Sequence, residues 1–311
     1  MRFMDNSKET LAAGAVLATE DRDIMYRVIG FAVLCLLPSA FLMSVVRSLL
    51  IFVLNNETYT HIPLIPAVSC YLIFTRRRLI FDRISYAWKI GCAMMLPGAA
   101  CLALARIDIG GLSLTNQNSL LMFGFVLFWL GAFALFFGTH SFRAAIFPML
   151  FLFFMVPVPQ PLLSHVIYLL QAGSSKSAAW MFQIMGVPYL QQGFDFALPG
   201  LTIRVAEECS GIRSTLALLI LTVLASHLFL KNSWDRVVLC LLAVPLSIAK
   251  NGFRIASLST LAIYVNPSFL TGPLHHRGGI VFYVIALFPM FLLLRFLQKR
   301  EGRRPEASLT H

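Results

Sequence analysis

Residues 119–138 read SLLMFGFVLFWLGAFALFFG, twenty consecutive positions with no ionisable side chain. Twenty residues of α-helix rise about 30 Å, the thickness of a bilayer's hydrocarbon core, and a helix satisfies its own backbone polar groups where no water can. Working outward, comparable apolar runs occupy 28–50, 62–75, 87–105, 143–158, 209–230, 235–258 and 279–298, which with the first makes eight predicted spans. Across the 311 residues, 58% are hydrophobic and only 13% charged, with a mean hydropathy of +0.78. A soluble domain cannot bury that much apolar surface. The sequence predicts an all-α, polytopic membrane helical bundle of about eight transmembrane helices, organised as one membrane domain over 1–311. Residues 1–23 mix polar and charged side chains and lack an apolar core with a small-residue cleavage site, so they read as a tail and not a signal peptide.

Cations fix the expected orientation. Arg76, Arg77, Arg78, Arg83 and Lys89 crowd one loop, and Lys299, Arg300, Arg303 and Arg304 crowd the end of the chain. The positive-inside bias puts both on the cytoplasmic side of the membrane. Alternating along the spans then brings Arg2, Lys8, Arg22, Arg27, Arg143, Lys231 and Arg236 to the same side, with the tails 1–23 and 299–311 cytoplasmic. The net charge of +11 therefore reflects topogenesis and not a nucleic-acid partner. No Gly-rich phosphate loop, zinc-ligand spacing, CxxC pair or internal repeat occurs, so no cofactor or metal is implied.

The apolar rhythm breaks over 159–208. Pro157, Pro159 and Pro161 open the break, and Ser164, His165, Gln171, Lys176 and Gln183 then interrupt a segment too polar for a plain lipid-facing helix. The topology requires this stretch to begin and end on the outer side, which makes 162–185 an amphipathic or re-entrant helix packed on protein. Past Gly186 the period shortens: Leu201, Ile203 and Val205 alternate with Thr202 and Arg204, after a Pro199-Gly200 turn. This is a small outer-face hairpin, serving either as a guide into a site at Cys209 or as a structural connection.

Cys209, directly after the hairpin, is the one cysteine in a polar setting. Cys35, Cys70, Cys92, Cys101 and Cys240 sit within or at the edges of apolar spans, where thiols are ordinarily inert. Cys209 instead lies in Glu207-Glu208-Cys209-Ser210-Gly211-Ile212-Arg213, at the outer mouth of a span. The topology carries two further unusual residues to the same depth, Arg254 in Asn251-Gly252-Phe253-Arg254 and His275 in the next outer loop. An intramembrane arginine either serves a site or snorkels to the headgroups. Cysteine, histidine and arginine on one face make a nucleophile, a proton shuttle and an oxyanion or thiolate stabiliser, the parts of acyl transfer.

Across these positions the chain resembles the exosortase/archaeosortase family, whose pattern is an acidic position before Cys-Ser-Gly, then Asn-x-x-Arg, then a His four residues before a Gly. All three stand here in order, the last as His275-His276-Arg277-Gly278-Gly279. Tyr59-Thr60-His61-Ile62-Pro63-Leu64-Ile65-Pro66 and Phe154-Met155-Val156-Pro157-Val158-Pro159 look like the family's upstream segments. The resemblance implies a membrane-embedded cysteine transpeptidase. Its partners would be membrane-anchored proteins bearing a C-terminal sorting signal of short motif such as Pro-Glu-Pro, transmembrane helix and basic cluster, together with an acceptor nucleophile. It implies Cys209 as nucleophile, His275 as proton shuttle and Arg254 as oxyanion or substrate binder, with Asn251, Arg213 and His276 in support. His276 departs from the family, which often has an acidic residue there. Arg213 serves either in positioning or as a partner for Glu207 or Glu208. The rival reading is a non-proteolytic membrane component of exopolysaccharide assembly or export, although transporters usually show repeats or midplane charges.

The orientation is testable by cysteine-accessibility labelling in intact spheroplasts. Positions 190–205 and 268–277 should label from outside and 76–89 only after permeabilisation; labelling of 268–277 solely from the cytoplasm would reject the shared outer face.

Overall fold

A computed structural model describes residues 24–36, 38, 43–105, 113–270 and 279–303. The expected tail 1–23, the pair His275 and His276, and residues 304–311 lie outside the described residues. The chain divides into two compact units, Met1–Gln160 and Pro161–His311.

In the first unit, helices α1 (Ile24–Leu36), α2 (Met43–Asn55), α3 (Leu64–Thr75), the short α4 (Arg77–Ile80), α5 (Trp88–Leu104), α6 (Leu114–Ala144) and α7 (Ile146–Phe151) follow in order. Helices α5 and α6 pack closest. A Cβ on Gly131 would come within 2.8 Å of the Gly91 carbonyl oxygen, and one on Gly98 within 2.8 Å of the Phe128 amide nitrogen. Such backbone approach replaces the hydrophobic drive that lipid removes, because only small residues let apolar helices gain full dispersion contact. The Tyr59–His61 segment pins the chain that ends this unit: the Tyr59 hydroxyl donates to the Val158 carbonyl at 3.5 Å, and the His61 ring faces the carbonyls of Phe154 and Thr58 as acceptors.

The second unit opens with α8 (Gln160–Ile184), whose first residue belongs to the unit before it. A three-stranded antiparallel sheet comes next, β1 (Leu190–Gln192), β2 (Asp195–Leu198) and β3 (Leu201–Arg204), in the order β1-β2-β3. The expected hairpin is β2–β3, with Phe196 opposite Ile203; the additional strand β1 pairs Gln191 with Phe196. Its Leu-Gln-Gln sequence carries no alternation that would have flagged a strand. Phe182 of α8, Phe196 and Val205 pack into one buried cluster, which seats the sheet on the helix.

A 3₁₀ turn over Glu207–Cys209 then leads into α9 (Ile212–Phe229), α10 (Ser233–Tyr264) and, beyond a turn at Pro267–Leu270, α11 (Gly279–Arg303). Leu218, Leu239, Ala243, Met290 and Leu297 join these three helices. At the α9–α10 corner, Glu301 accepts from the amides of Lys231 and Asn232 at 3.0 and 2.7 Å, while buried Asp235 pairs with Arg300 at 3.5 Å. Residues 299–303 continue the helix, and the side chains of Arg300 and Glu301 dock at this corner.

The chain is a multi-pass, predominantly helical membrane protein, but the count of eight spans is not reproduced. Among the described residues, α6, α9, α10 and α11 are long and apolar enough to cross a bilayer, and a fifth span results if 146–155 and 160–184 are one broken crossing. Helices α1, α3 and α5 occupy three of the remaining expected spans and are shorter and apolar. At 1.5 Å per residue, the 12 residues of α3 reach only about 18 Å.

Burial holds the His61 imidazole below its ordinary pKa of 6.5 despite its two carbonyl acceptors. The folded state thus resists protonation more than the unfolded chain does, so stability present above pH 6.5 is lost as the pH falls below it. The thermal midpoint of the detergent-solubilised protein should drop between pH 7.5 and pH 5.5, and His61→Gln should shrink that drop. An undiminished drop in the variant would acquit His61.

Candidate functional site

The second unit brings the predicted Cys209 and Asn251 into direct contact. The Asn251 side-chain amide donates to the Cys209 carbonyl oxygen at 2.7 Å and to the Ser174 hydroxyl at 3.0 Å. Asn251 is 1% exposed, so this amide ties α10, α8 and the cysteine turn together where water does not compete. Gln171, one turn before Ser174, donates to the Val205 carbonyl and fixes the strand that leads into the turn.

Local sequence explains why the turn stops where it does. Gly211 has φ of +80°, a left-handed conformation that costs an L-residue about 1–2 kcal/mol. A Cβ there would also lie 3.0 Å from Asn251 Cγ. The reversal starts α9 immediately, and the hydroxyls of Ser214 and Thr215 both donate to the Gly211 carbonyl at 2.9 Å. Cys209 is thereby held half-buried at the head of α9.

On α10, Gly252 touches α8 so closely that a Cβ would overlap Ser177. This contact sets the rotation of the helix, and one turn of α10 then carries Asn251, Arg254 and Ile255 toward the cysteine. Arg254 is half-buried and stands within Coulombic reach of both Cys209 and Arg213. Arg213 itself is exposed on the first turn of α9.

Sequence reasoning passed over Lys250, which is 8% exposed, bonds Ser214 and lies within Coulombic reach of Arg254. Its signal was available: a lysine inside an apolar helix, one turn before an arginine. Gln171 was likewise legible only as a polar interruption and Ser174 was passed over, since nothing in α8 alone says which element they face. Among the other cysteines, Cys70 and Cys92 are exposed on apolar helix surfaces, which suits thiols facing lipid. Among the described residues no cluster of three or more potential metal ligands occurs.

Beside Cys209 and Arg254 opens a cavity of about 60 Å³, walled by Ile203, Val205, Ile255 and Leu258. Ser259 also lines it, 1% exposed and with its hydroxyl lacking a hydrogen-bond partner among the described residues. A half-buried thiol, a guanidinium and an apolar recess with one buried donor can bind an acyl group and place its carbonyl against sulfur.

The model of the transmembrane exosortase family matches residues 53–292. The chain belongs to this family. The match spans most of both units and includes the turn at Cys209, the Asn251–Arg254 segment and His275. No match was found among curated proteins or among solved structures.

Two glycine substitutions isolate the fit of the exosortase turn. Gly200 also has positive φ, +73°, but open space around its missing Cβ. Gly200→Ala should cost only the backbone term, about 1–2 kcal/mol, whereas Gly211→Ala should cost a further ~1–3 kcal/mol for crowding Asn251. Thermal midpoints in detergent measure both, and equal losses would show that the Asn251 contact constrains nothing.

Proposed function

We propose that this exosortase is a cysteine transpeptidase of the bacterial inner membrane that cleaves C-terminal sorting signals from membrane-anchored proteins. The observation that carries the reading is the single amide of Asn251, which couples the cysteine turn to the helix bearing Arg254. The Cys209 thiolate attacks the carbonyl before the scissile bond, and Arg254 holds the oxyanion or an acidic residue of the motif. The carbon–nitrogen bond breaks, the anchor's amine leaves with a proton delivered by His275, and a thioester remains on Cys209. An acceptor nucleophile, its proton taken by the same imidazole, then displaces the sulfur. His276 and Arg213 position the substrate.

The site faces the periplasm and both termini face the cytoplasm. Asp235, in the basic α9–α10 corner, and Arg254 are 19 positions apart on α10, roughly 28 Å along a helix and close to the hydrocarbon thickness. That separation supports placing the corner and the site at opposite membrane surfaces.

The test is co-expression with a reporter ending in a short motif, a transmembrane helix and a basic cluster, followed by mass determination of the processed C-terminus. Cys209→Ala should abolish processing while Cys240→Ala retains it. Arg254→Lys should slow it roughly ten- to hundred-fold, since an ammonium keeps the charge but loses the planar fork. Unimpaired processing by Cys209→Ala would exclude covalent cysteine catalysis.

A further inference from the structure

Strand β3 is the edge of its sheet, paired with β2 on one side only. The Val205 amide donates to the Phe194 carbonyl at 2.9 Å, which makes Phe194 and Val205 a hydrogen-bonded pair. Pairs of this kind recur every second residue in an antiparallel ladder. Leu201, Ile203 and Val205 therefore turn their main-chain groups toward β2, and Thr202 and Arg204 turn theirs to the open edge. The Arg204 carbonyl is taken by the Ala206 amide. Among the described residues nothing pairs with the Thr202 N–H or C=O or with the Arg204 N–H. An edge left open beside apolar surface invites another chain, and proteins usually blunt such edges. Among the described residues it is left open here, five residues before the cysteine.

The same strand forms a wall of the cavity. Ile203 and Val205 line it together with Cys209 and Ser259, so a segment laid along β3 would turn alternate side chains onto the face where the recess opens. The recess is apolar and small: its 60 Å³ falls well short of the roughly 150 Å³ that accommodates benzene in an engineered protein core. The Ser259 hydroxyl, 1% exposed and without a partner among the described residues, leaves one hydrogen bond for a bound chain to complete.

We propose that an extended peptide segment of the substrate adds to β3 as a fourth strand, pairing with Thr202 and Arg204, and seats a small aliphatic side chain in the recess beside Cys209. Main-chain pairing supplies affinity without regard to sequence, and the recess supplies selectivity at one position. The site rests on Cys209 as a reachable nucleophile, and a strand that walls the cavity lined by that residue explains how a flexible motif is presented in register.

Acetyl-tetrapeptide chloromethyl ketones that differ only in the terminal residue, alanine, valine or phenylalanine, test this on the full detergent-solubilised chain. The Cys209 sulfur attacks the methylene carbon, the carbon–chlorine bond breaks, chloride leaves, the thiol proton goes to buffer, and the thioether is read by peptide mass mapping. Alanyl and valyl probes should label at least about ten-fold faster than the phenylalanyl probe. Methylating the probe amide that would pair with Thr202 should slow labelling about five-fold. Thr202→Pro should do the same, because it removes an edge N–H without touching the β2 ladder. Iodoacetamide, too small to need either contact, should label Cys209 equally in both proteins. Equal labelling by alanyl and phenylalanyl probes, indifference to amide methylation, or no peptide labelling where iodoacetamide reacts would each overturn the proposal. Failure of iodoacetamide as well would remove the nucleophile and with it the transpeptidase reading. Selective labelling in a protein whose Cys209→Ala variant still processes the reporter would leave the peptide site standing and sink only the covalent mechanism.

Discussion

A carbonyl oxygen buried among apolar helices must find a donor within the protein, and that demand organises the second unit. The carbonyl of Cys209 finds it in Asn251, and the neighbouring Val205 carbonyl finds it in Gln171. An unmet acceptor in such surroundings costs about 1–3 kcal/mol, comparable to the loss of a methyl group or two of packing. Because each donor sits on a different helix, the turn cannot be satisfied unless α8 and α10 are both in place. Placement of Arg254 is then a by-product of backbone satisfaction, since it rides on the helix that Asn251 has already committed.

Much of the fold was legible from apolar run length. The runs read at 119–138, 209–230, 235–258 and 279–298 correspond to α6, α9, α10 and α11, and the helix read over 162–185 corresponds to α8. What run length could not give was how much of each run is one straight crossing. Helix α3, at 12 residues, is too short to cross by itself; how much of an apolar run is one helix depends on which helices are neighbours, a property of packing that hydropathy does not encode. Strand β1 escaped for a related reason, because Leu190, Gln191 and Gln192 become a strand only once β2 offers its edge.

The site was legible in a different way. Cys209 and Arg254 announce themselves as polar residues in costly places, and their order along the chain matched a family pattern that the family match over 53–292 bears out as membership. The glycine in that pattern turns out to be conformational: its φ of +80° excludes side chains and has no chemistry of its own. Ser174 and Lys250 were invisible as partners because their roles exist only between helices. The supporting shell of a buried site is written in pairs of positions far apart in sequence, 174 with 251 and 214 with 250, and a single chain read linearly does not couple them.

The docking of the last helical turn at the α9–α10 corner has a mechanical consequence. Glu301 and Arg300 fix the axial position of α11 from its far end, and the helix continues from there through Pro289 to Gly279. One residue added or removed within α11 would slide its first turn by about 1.5 Å and swing it through about 100°. The chain immediately before that first turn carries His275. The length of α11 therefore acts as a gauge rod, with its zero set at the α9–α10 corner and its reading taken at Gly279.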